Sequence, residues 1–366
     1  MSSKGIRKIA VIGAGNMGSG IAQKYATEGF PVYLVDRDEA AVEKGRGTIA
    51  QIVSEGVERK IFRPEQAEQI LGRVNPTLDW TDLQDADLVV EAVFEDLEVK
   101  RDVFRKLSEV TKKDCLLATN TSSFFVKQLS EVSTHPERVV GLHYFFHPAK
   151  NRLVEVIPAP ETSEENLARA WASQERIGKT PIASLDAPGF VVNRFFVPWI
   201  NEATRLHEEA LGDIPTIEQA AIEAFRIGMG PFQLMNLTGI PIGFHAAATL
   251  EKELGRFYAP SGILTGYTKS GQQFGFDGEA DKARFTAIQE RLLGLTYHIA
   301  AQLVSEGVGS IKDVDIGARV GLRWAEGPFE MMNRQGMAEV KRIVDQFERF
   351  YGLATPKILA AQYEAG

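Results

Sequence analysis

The sequence predicts an α/β fold: a doubly wound, mostly parallel sheet domain followed by an all-α domain with a duplicated helical unit. Three observations predict it. Short apolar runs alternate with helical patterns through the first half of the chain, as strand–helix–strand units require. That alternation stops after "TPIASLDAPGF", where Pro188-Gly189 punctuates the chain and helical patterns take over. The helical half then repeats itself. "RIGMGPFQLMNLTG" (226–239) matches "RWAEGPFEMMNRQG" (323–336) at a constant offset, and "RFFVPWINEATRLHEEALG" (194–212) aligns with "RLLGLTYHIAAQLVSEGVG" (291–309) without a gap. The expected domains are 1–186, 187–285 and 286–366, with the sheet domain ending near residues 184–188.

Taken in order, Ile9–Ile12 is a β-branched apolar run bounded by Gly13 and reads as a buried strand. Met17–Glu28 reads as a helix stopped at Gly29, and Val32–Val35 as a second buried strand that Asp36 ends. Leu88–Val93, Cys115–Thr119, Val139–His143 and Leu153–Ile157 read as further strands, and Leu97–Val110 as a helix. Beyond the boundary, Phe190–Leu211 and Thr216–Ile227 are long amphipathic segments. Between the two helical copies, "YAPSGILTGYTKSGQQFGFDG" is rich in Gly and Ser and reads as a long connection. The second copy has no sheet domain of its own, so a structural role is expected for it rather than a second active site.

Composition narrows the function classes. The chain has 366 residues, enough for two or three domains, with 44% hydrophobic and 25% charged residues. A formal net charge of −8 disfavours nucleic acid or an anionic membrane surface as a partner, though a local basic patch could still hold a small anion. One cysteine, Cys115, excludes an internal disulfide and a thiolate metal cluster; it suits a reducing compartment, and a cytoplasmic location is expected. Met1–Arg7 is short and polar and is not expected to be a signal peptide. The most apolar stretch, Phe190–Ile200, contains Asn193 and Arg194 and is too short to span a bilayer.

"VIGAGNMGSG" supplies Gly13, Gly15 and Gly18 after a strand and at the opening of a helix. That context turns a weak glycine pattern into a dinucleotide-binding turn of the Rossmann type. Gly13 permits the tight turn, Gly15 lets the backbone approach a pyrophosphate, and Gly18 allows close helix–strand packing. The N–H groups at the helix start, around Asn16 and Met17, meet the phosphates. Asp36 lies where its carboxylate can accept hydrogen bonds from an adenosine ribose and repel a 2′-phosphate. NAD is therefore expected over NADP, with Arg37 next door working against that preference. The plain alternative is a glycine-rich turn with no ligand.

"TNTSS" (119–123) and "GLHYFFHPAKNRLVEVIP" (141–158) hold the chemical candidates. His143 ends an apolar strand run and Glu155 lies in the next strand, so a strand–loop–strand path can bring them together. In a nicotinamide enzyme the pairing makes sense. Histidine titrates near neutrality and can take the proton of an alcohol, while a carboxylate on its other nitrogen fixes the tautomer. A lone structural histidine is the plain alternative. Metal binding by His143 and His147 is another, but that spacing suits a helix, and no metal is expected.

These residues resemble the L-3-hydroxyacyl-CoA dehydrogenases. The likeness covers nearly the whole chain: the glycine turn with Asp36, "VVEAVFEDLEVK", "NTSS", "GLHYFF…LVEVI", "PGFVVNRFFVPWINEA" and "GMGPFQLMN". The doubled helical region resembles the dehydrogenase part of multifunctional fatty-acid oxidation proteins. The resemblance implies an NAD-dependent enzyme of β-oxidation acting on an acyl-CoA substrate. It implies His143 as general base with Glu155 as partner, Ser122 hydrogen-bonded to the substrate's 3-oxygen and close to the nicotinamide, and Asn193 orienting the substrate. It implies that Glu95 and Lys100 contact the nicotinamide ribose side of NAD, with Ala92, Asn120 and Ser122 among the cofactor contacts. Arg59 and Lys60, with Arg63, correspond to a basic helical hairpin suited to the phosphates of coenzyme A. Shorter relatives dimerise through one helical unit, so a monomeric pseudo-dimer or a homodimer is expected.

Plainer readings stand beside these. Ser122 and Asn193 could be helix caps, Glu95 and Lys100 a solvated charge pair, and the basic turn a solvated face. Three departures from the family pattern are visible. Phe146 stands where an asparagine normally meets cofactor or substrate, and His147 in place of a proline. Asn236 and Asn333 occupy a position that is often Asp. Glu290 stands where the second copy would need its Asn193. A same-fold dehydrogenase of a free hydroxy or sugar acid, of gulonate or carnitine type, and a non-catalytic NAD-binding protein remain open alternatives.

Overall fold

The computed structural model describes Gly5 to Ala365, with side chains to residue 362. Part of the polar N-terminal segment discussed above, residues 1–4, lies outside the described residues. The chain divides into two compact units, Met1–Asp186 and Ala187–Gly366.

The first unit is built on one eight-stranded sheet. Its elements are β1 (Ile9–Ile12), α1 (Asn16–Thr27), β2 (Val32–Val35), α2 (Glu39–Glu58), α3 (Pro64–Gly72), β3 (Val74–Thr77) and β4 (Leu88–Glu91). They continue as α4 (Leu97–Val110), β5 (Leu116–Thr119), α5 (Lys127–Ser130), β6 (Val139–Tyr144), β7 (Leu153–Pro158), α6 (Glu164–Arg176) and β8 (Thr180–Ala183). The strand order is β3-β2-β1-β4-β5-β6-β7-β8. Every neighbouring pair is parallel except β6 and β7, which run antiparallel. Central strands buried on both faces read as unbroken apolar runs, as β1 (IAVI) and the start of β4 (LVV) do. The order reverses between β1 and β4, and such a switch point opens a crevice at the carboxyl ends of the strands.

The two strands that sequence patterning missed, β3 (VNPT) and β8 (TPIA), are the sheet's edges. Each contains a proline, which lacks the N–H a central strand must donate and is tolerated at an edge. The strand expected at Leu88–Val93 ends at Glu91, because the backbone turns there to meet the glycine loop. Behind the sheet, Tyr25 of α1 and Tyr144 of β6 share a hydroxyl–hydroxyl hydrogen bond of 3.2 Å, and Gln174 of α6 bonds both. This buried network ties the helix after the glycine turn to the strand that carries His143.

The second unit is helical and visibly doubled. The first copy runs α7 (Val192–Glu208), α8 (Ile214–Phe225), α9 (Pro231–Thr238), α10 (Ile240–Leu254) and α11 (Gly262–Ser270). The second runs α12 (Phe285–Ser305), α13 (Ile311–Ile316), α14 (Pro328–Gln335), α15 (Met337–Tyr351) and α16 (Lys357–Ala365). The copies face each other. Arg194 pairs with Glu306 at 2.5 Å, and its counterpart Arg291 pairs with Glu209, the counterpart of Glu306, at 3.1 Å. A reciprocal pairing of this kind is the signature of an isologous, two-fold contact. Trp199, fully buried, packs edge-on to Phe225 at 5.4 Å and against Trp324 at 5.5 Å within it. No helix among the described residues is long and apolar enough to cross a membrane.

Two readings need correction here. The Gly/Ser-rich stretch 258–278 is not simply a connection. It contains α11, whose N-terminus is capped by Ser261 accepting from Leu264 N. Asn193 does not cap its helix, since Val191 takes that place. Asn236, at the position that is often Asp, uses both ends of its amide. Its amide accepts from Phe274 N and donates to Phe274 O, both at 2.9 Å, and a carboxylate cannot do both.

The repeat also repeats a polar device. Glu218 accepts from Gly230 N and Phe232 N at 2.9 Å, and its counterpart Asp315 accepts from Phe329 N at 2.9 Å. Burial pushes the Asp315 carboxyl up to about 6, against the help of the Phe329 N–H. The folded chain then holds a proton that the unfolded chain has lost between about pH 4 and 6, so this group's contribution to stability falls as pH rises through that window. Asp315→Asn keeps an acceptor for Phe329 and removes the charge. Its urea midpoint should exceed wild type at about pH 7, with the gain shrinking towards pH 4; a gain that is absent or independent of pH refutes the assignment.

Candidate active site

The glycine turn is built for close approach. Gly13 has a φ of 104°, and a Cβ there would stand 2.4 Å from Ala92 O. A Cβ on Gly18 would collide with Gly13 O at 1.8 Å. Gly15 differs: nothing lies within 4 Å of its Cβ position. The turn thus presents bare backbone to open space at the start of α1, where no side chain caps the helix. First-turn N–H groups without intrahelical acceptors suit an anion. Asn16 is exposed there and Met17 packs partly against the core.

Asp36 ends β2 beside this turn. Its Oδ2 accepts from Ala14 N at 2.6 Å and its Oδ1 from Arg37 N at 2.7 Å. Each oxygen keeps a second lone pair that can accept from a ribose hydroxyl. The Arg37 side chain is turned towards Asp38, 3.1 Å away. Open backbone at Gly15, an uncapped helix start and the Asp36 carboxylate together fit the pyrophosphate and ribose of a dinucleotide.

The next strand ends carry a charge relay. Glu91, fully buried, accepts from Lys100 Nζ at 2.7 Å, Val93 N at 2.8 Å and Thr119 Oγ1 at 2.7 Å. Lys100 is 1% exposed and also reaches Glu95 at 3.0 Å. Burial pulls the Lys100 ammonium down, but two carboxylates outweigh it and its pKa lies above the ordinary value. Glu95 in turn accepts from Thr121 Oγ1 at 2.6 Å and Ser122 N at 3.0 Å. Glu95 and Lys100 are therefore not a solvated helical pair. Lys100 is spent on two carboxylates, and Glu95 positions the loop that carries Ser122. Ser122 is not a helix cap either, since α5 begins after Val126.

Asn120 closes the gap to the next strand. Its N–H donates to Glu91 O at 2.8 Å, and its Oδ1 accepts from Tyr144 N at 2.9 Å. In the β6–β7 register His143 stands directly opposite Glu155. His143 Nδ1 and Glu155 Oε2 are 2.5 Å apart; Glu155 is fully buried and His143 6% exposed. An ionised carboxylate only accepts, so this contact places the imidazole hydrogen on Nδ1 and leaves the basic lone pair on Nε2. Phe145 packs against the imidazole, ring centroids 4.6 Å apart.

The structure thus brings together Glu95, Lys100, Asn120, Ser122, His143 and Glu155 at neighbouring strand ends, with Ala92 against the glycine turn. Arg59, Lys60 and Arg63 are exposed at the turn between α2 and α3, where Lys60 has a left-handed φ of 59°. Asn193 is the second residue of α7, half-buried, in the other unit. Glu290, its counterpart in the second copy, pairs with Arg342 at 2.5 Å. Among the described residues no group of three or more His, Cys, Asp or Glu could hold a metal ion. Sequence reasoning missed Glu91, Thr119 and Thr121. The signal was an acidic residue closing an apolar strand run, with a lysine nine positions on.

Lys100→Met leaves Glu91 buried with its cation gone. Removing one member of a buried ion pair costs about 3–5 kcal/mol, and urea unfolding should show a loss of that size; a loss below about 1 kcal/mol would show the pair to be solvated.

Residues 8–187 match the family described as 3-hydroxyacyl-CoA dehydrogenase, NAD binding domain, and residues 189–276 match its C-terminal domain. The fatty acid oxidation complex subunit alpha of Shewanella sp. (strain W3-18-1) is 31% identical over 95% of this chain and 53% of its own length. The chain spans about half the length of the curated relatives it matches. The structure of M. tuberculosis FadB2 is 31% identical with a TM-score of 0.73, covering 76% of this chain and 98% of that one. The 3-hydroxybutyryl-CoA dehydrogenase of Escherichia coli K12 shares the fold across 98% of both chains, with a TM-score of 0.90 at 24% identity. A glycine turn shaped for a dinucleotide, in a unit that matches the family's NAD-binding domain, leads to one conclusion: the chain belongs to the NAD-dependent 3-hydroxyacyl-CoA dehydrogenase family of oxidoreductases.

Proposed function

We propose that this chain interconverts (S)-3-hydroxyacyl-CoA and 3-oxoacyl-CoA. The observation that carries the reading is the 2.5 Å contact between His143 Nδ1 and Glu155, held by facing positions on two paired strands. NAD, held by its pyrophosphate at the turn of Gly13, Gly15 and Gly18, would supply the hydride acceptor.

The chain's own residues do the rest. His143 Nε2 takes the hydroxyl proton in oxidation and returns it in reduction. Glu155 holds the ring and stabilises the imidazolium that forms, as a carboxylate behind a general base does. Ser122, set by Glu95, donates to the 3-oxygen and supports the charge that grows there during reduction. Asn193 orients the substrate from the start of α7. Arg59 and Lys60 meet phosphates of the coenzyme A portion. Asp36 selects the unphosphorylated adenosine ribose. The reciprocal Arg194–Glu306 and Arg291–Glu209 pairs support a chain that occupies within itself the face through which shorter relatives dimerise.

A second reading, a dehydrogenase of a free hydroxy acid, rests on Phe146, which departs from the amide the family carries at that position. Competition by free coenzyme A separates the two, since only the thioester reading predicts it.

NADH oxidation with acetoacetyl-CoA is the direct test. Wild type should turn over. His143→Ala should lose about 10²–10⁴-fold in kcat, and Glu155→Gln should lose less. Full activity in His143→Ala refutes the assignment. Arg59→Ala with Lys60→Ala should raise KM for the thioester, with a difference that shrinks in high salt, and leave kcat near wild type. An unchanged KM would return that turn to an ordinary solvated surface.

A further inference from the structure

Two large aromatic side chains stand exposed at the carboxyl edge of the sheet. Phe94 is 82% exposed and Phe146 58%. Scattered exposed apolar residues need no explanation. These two stand together at the carboxyl ends of β4 and β6, on loops whose backbone is held by hydrogen bonds.

Phe94 sits on a loop fixed on both sides. Val93 N donates to Glu91 at 2.8 Å, Phe94 O accepts from Asp96 N at 2.8 Å, and Glu95 is held by Lys100 and Thr121. Phe146 is held as firmly. Its carbonyl accepts from Asn151 Nδ2 at 3.3 Å, and His147 O accepts from the N–H groups of Lys150 and Asn151 at 2.8 Å. Lys179, 5% exposed, donates through Nζ to Pro148 O and, at 2.6 Å, to Asn151 O. Pro148 in turn fills the space over Gly20, where a Cβ would lie 3.0 Å from its ring. Each ring stands exposed on a pinned backbone. Its contact with water persists until apolar matter covers it.

Their place in the sheet says what that matter is. Phe94 follows β4, Ser122 follows β5 and Phe146 follows β6, three neighbouring strands. At about 4.8 Å per strand, the β4 and β6 ends lie roughly 10 Å apart. Two aromatic side chains carried by loops that leave strand ends about that far apart can meet one apolar group between them. Ser122 follows the strand between them, and His143 lies three residues before Phe146.

We propose that Phe94 and Phe146 determine acyl specificity, clasping a bulky apolar acyl group of about six carbons or more in preference to a four-carbon one. The inference rests on the acyl-CoA reading above.

The test is kcat/KM for a panel of 3-oxoacyl-CoA thioesters with NADH: four, six and eight straight-chain carbons, and one phenyl-bearing acyl group. Wild type should prefer a longer or phenyl-bearing member over the four-carbon one by roughly tenfold or more. Phe146→Asn and Phe94→Ser should each cut that ratio about fivefold or more, while Phe146→Leu keeps most of it. Cooperative thermal unfolding close to the wild-type midpoint should show that each of the three variants is folded. Preference in either the straight-chain or the phenyl arm supports the proposal, and the arm identifies the group clasped. A wild-type preference for four carbons, or a ratio unmoved by the variants, overturns it while the dehydrogenase reading stands. No turnover of any thioester by wild type overturns both.

Discussion

The register between β6 and β7 is the constraint on which the rest of the site depends. Side chains alternate across a strand, so a slip of one residue would send His143 and Glu155 to opposite faces of the sheet. These two strands form the sheet's one antiparallel pair, and antiparallel pairing sets two residues squarely opposite each other. The carboxylate is fully buried and the imidazole nearly so, which keeps solvent from competing for the contact. Tyr144, the next residue along β6, is bonded on one side to Asn120 and on the other, through its hydroxyl, to Tyr25 of α1. The strand is thus anchored both to the neighbouring loop and to the helix that opens at the glycine turn.

Beside that pair lies an ion cluster that a folding chain would avoid without reason. Burying charges is expensive, and an apolar replacement is often neutral or better. Glu91, Lys100 and Glu95 persist because each does a positional job. Glu91 gathers the ends of β4 and β5, Lys100 bridges inwards to Glu91 and outwards to Glu95, and Glu95 fixes the backbone of Ser122. The outermost member is the most exposed, so the cluster carries order from the core to a loop at the surface.

Much of this was legible in residue order. The strands β1 and β2 match the patterned runs residue for residue, and α4 does too, because period and end signals agree locally. Edge strands were invisible, since Pro76 and Pro181 argue against a strand unless its position in the sheet is known. The helix α11 hid inside Gly/Ser-rich composition, although Ser261 three residues before Leu264 is a cap signal. His143 and Glu155 were legible only as members of successive strands; their contact depends on a pairing direction that no local pattern states. The charge on Lys100 pointed to solvent, and only the packing of α4 over β4 reverses that.

The paired helical copies have a consequence for mass action. A contact between two separate chains weakens on dilution, because each partner must find the other. Here Arg194, Glu306, Arg291 and Glu209 belong to one polypeptide, so the local concentration of each half around the other is set by covalent connection and does not change with the amount of protein. A half tethered in this way is also released from sequence identity with its twin. Glu290, tied to Arg342 where the first copy has Asn193, shows the two copies differing at matching positions.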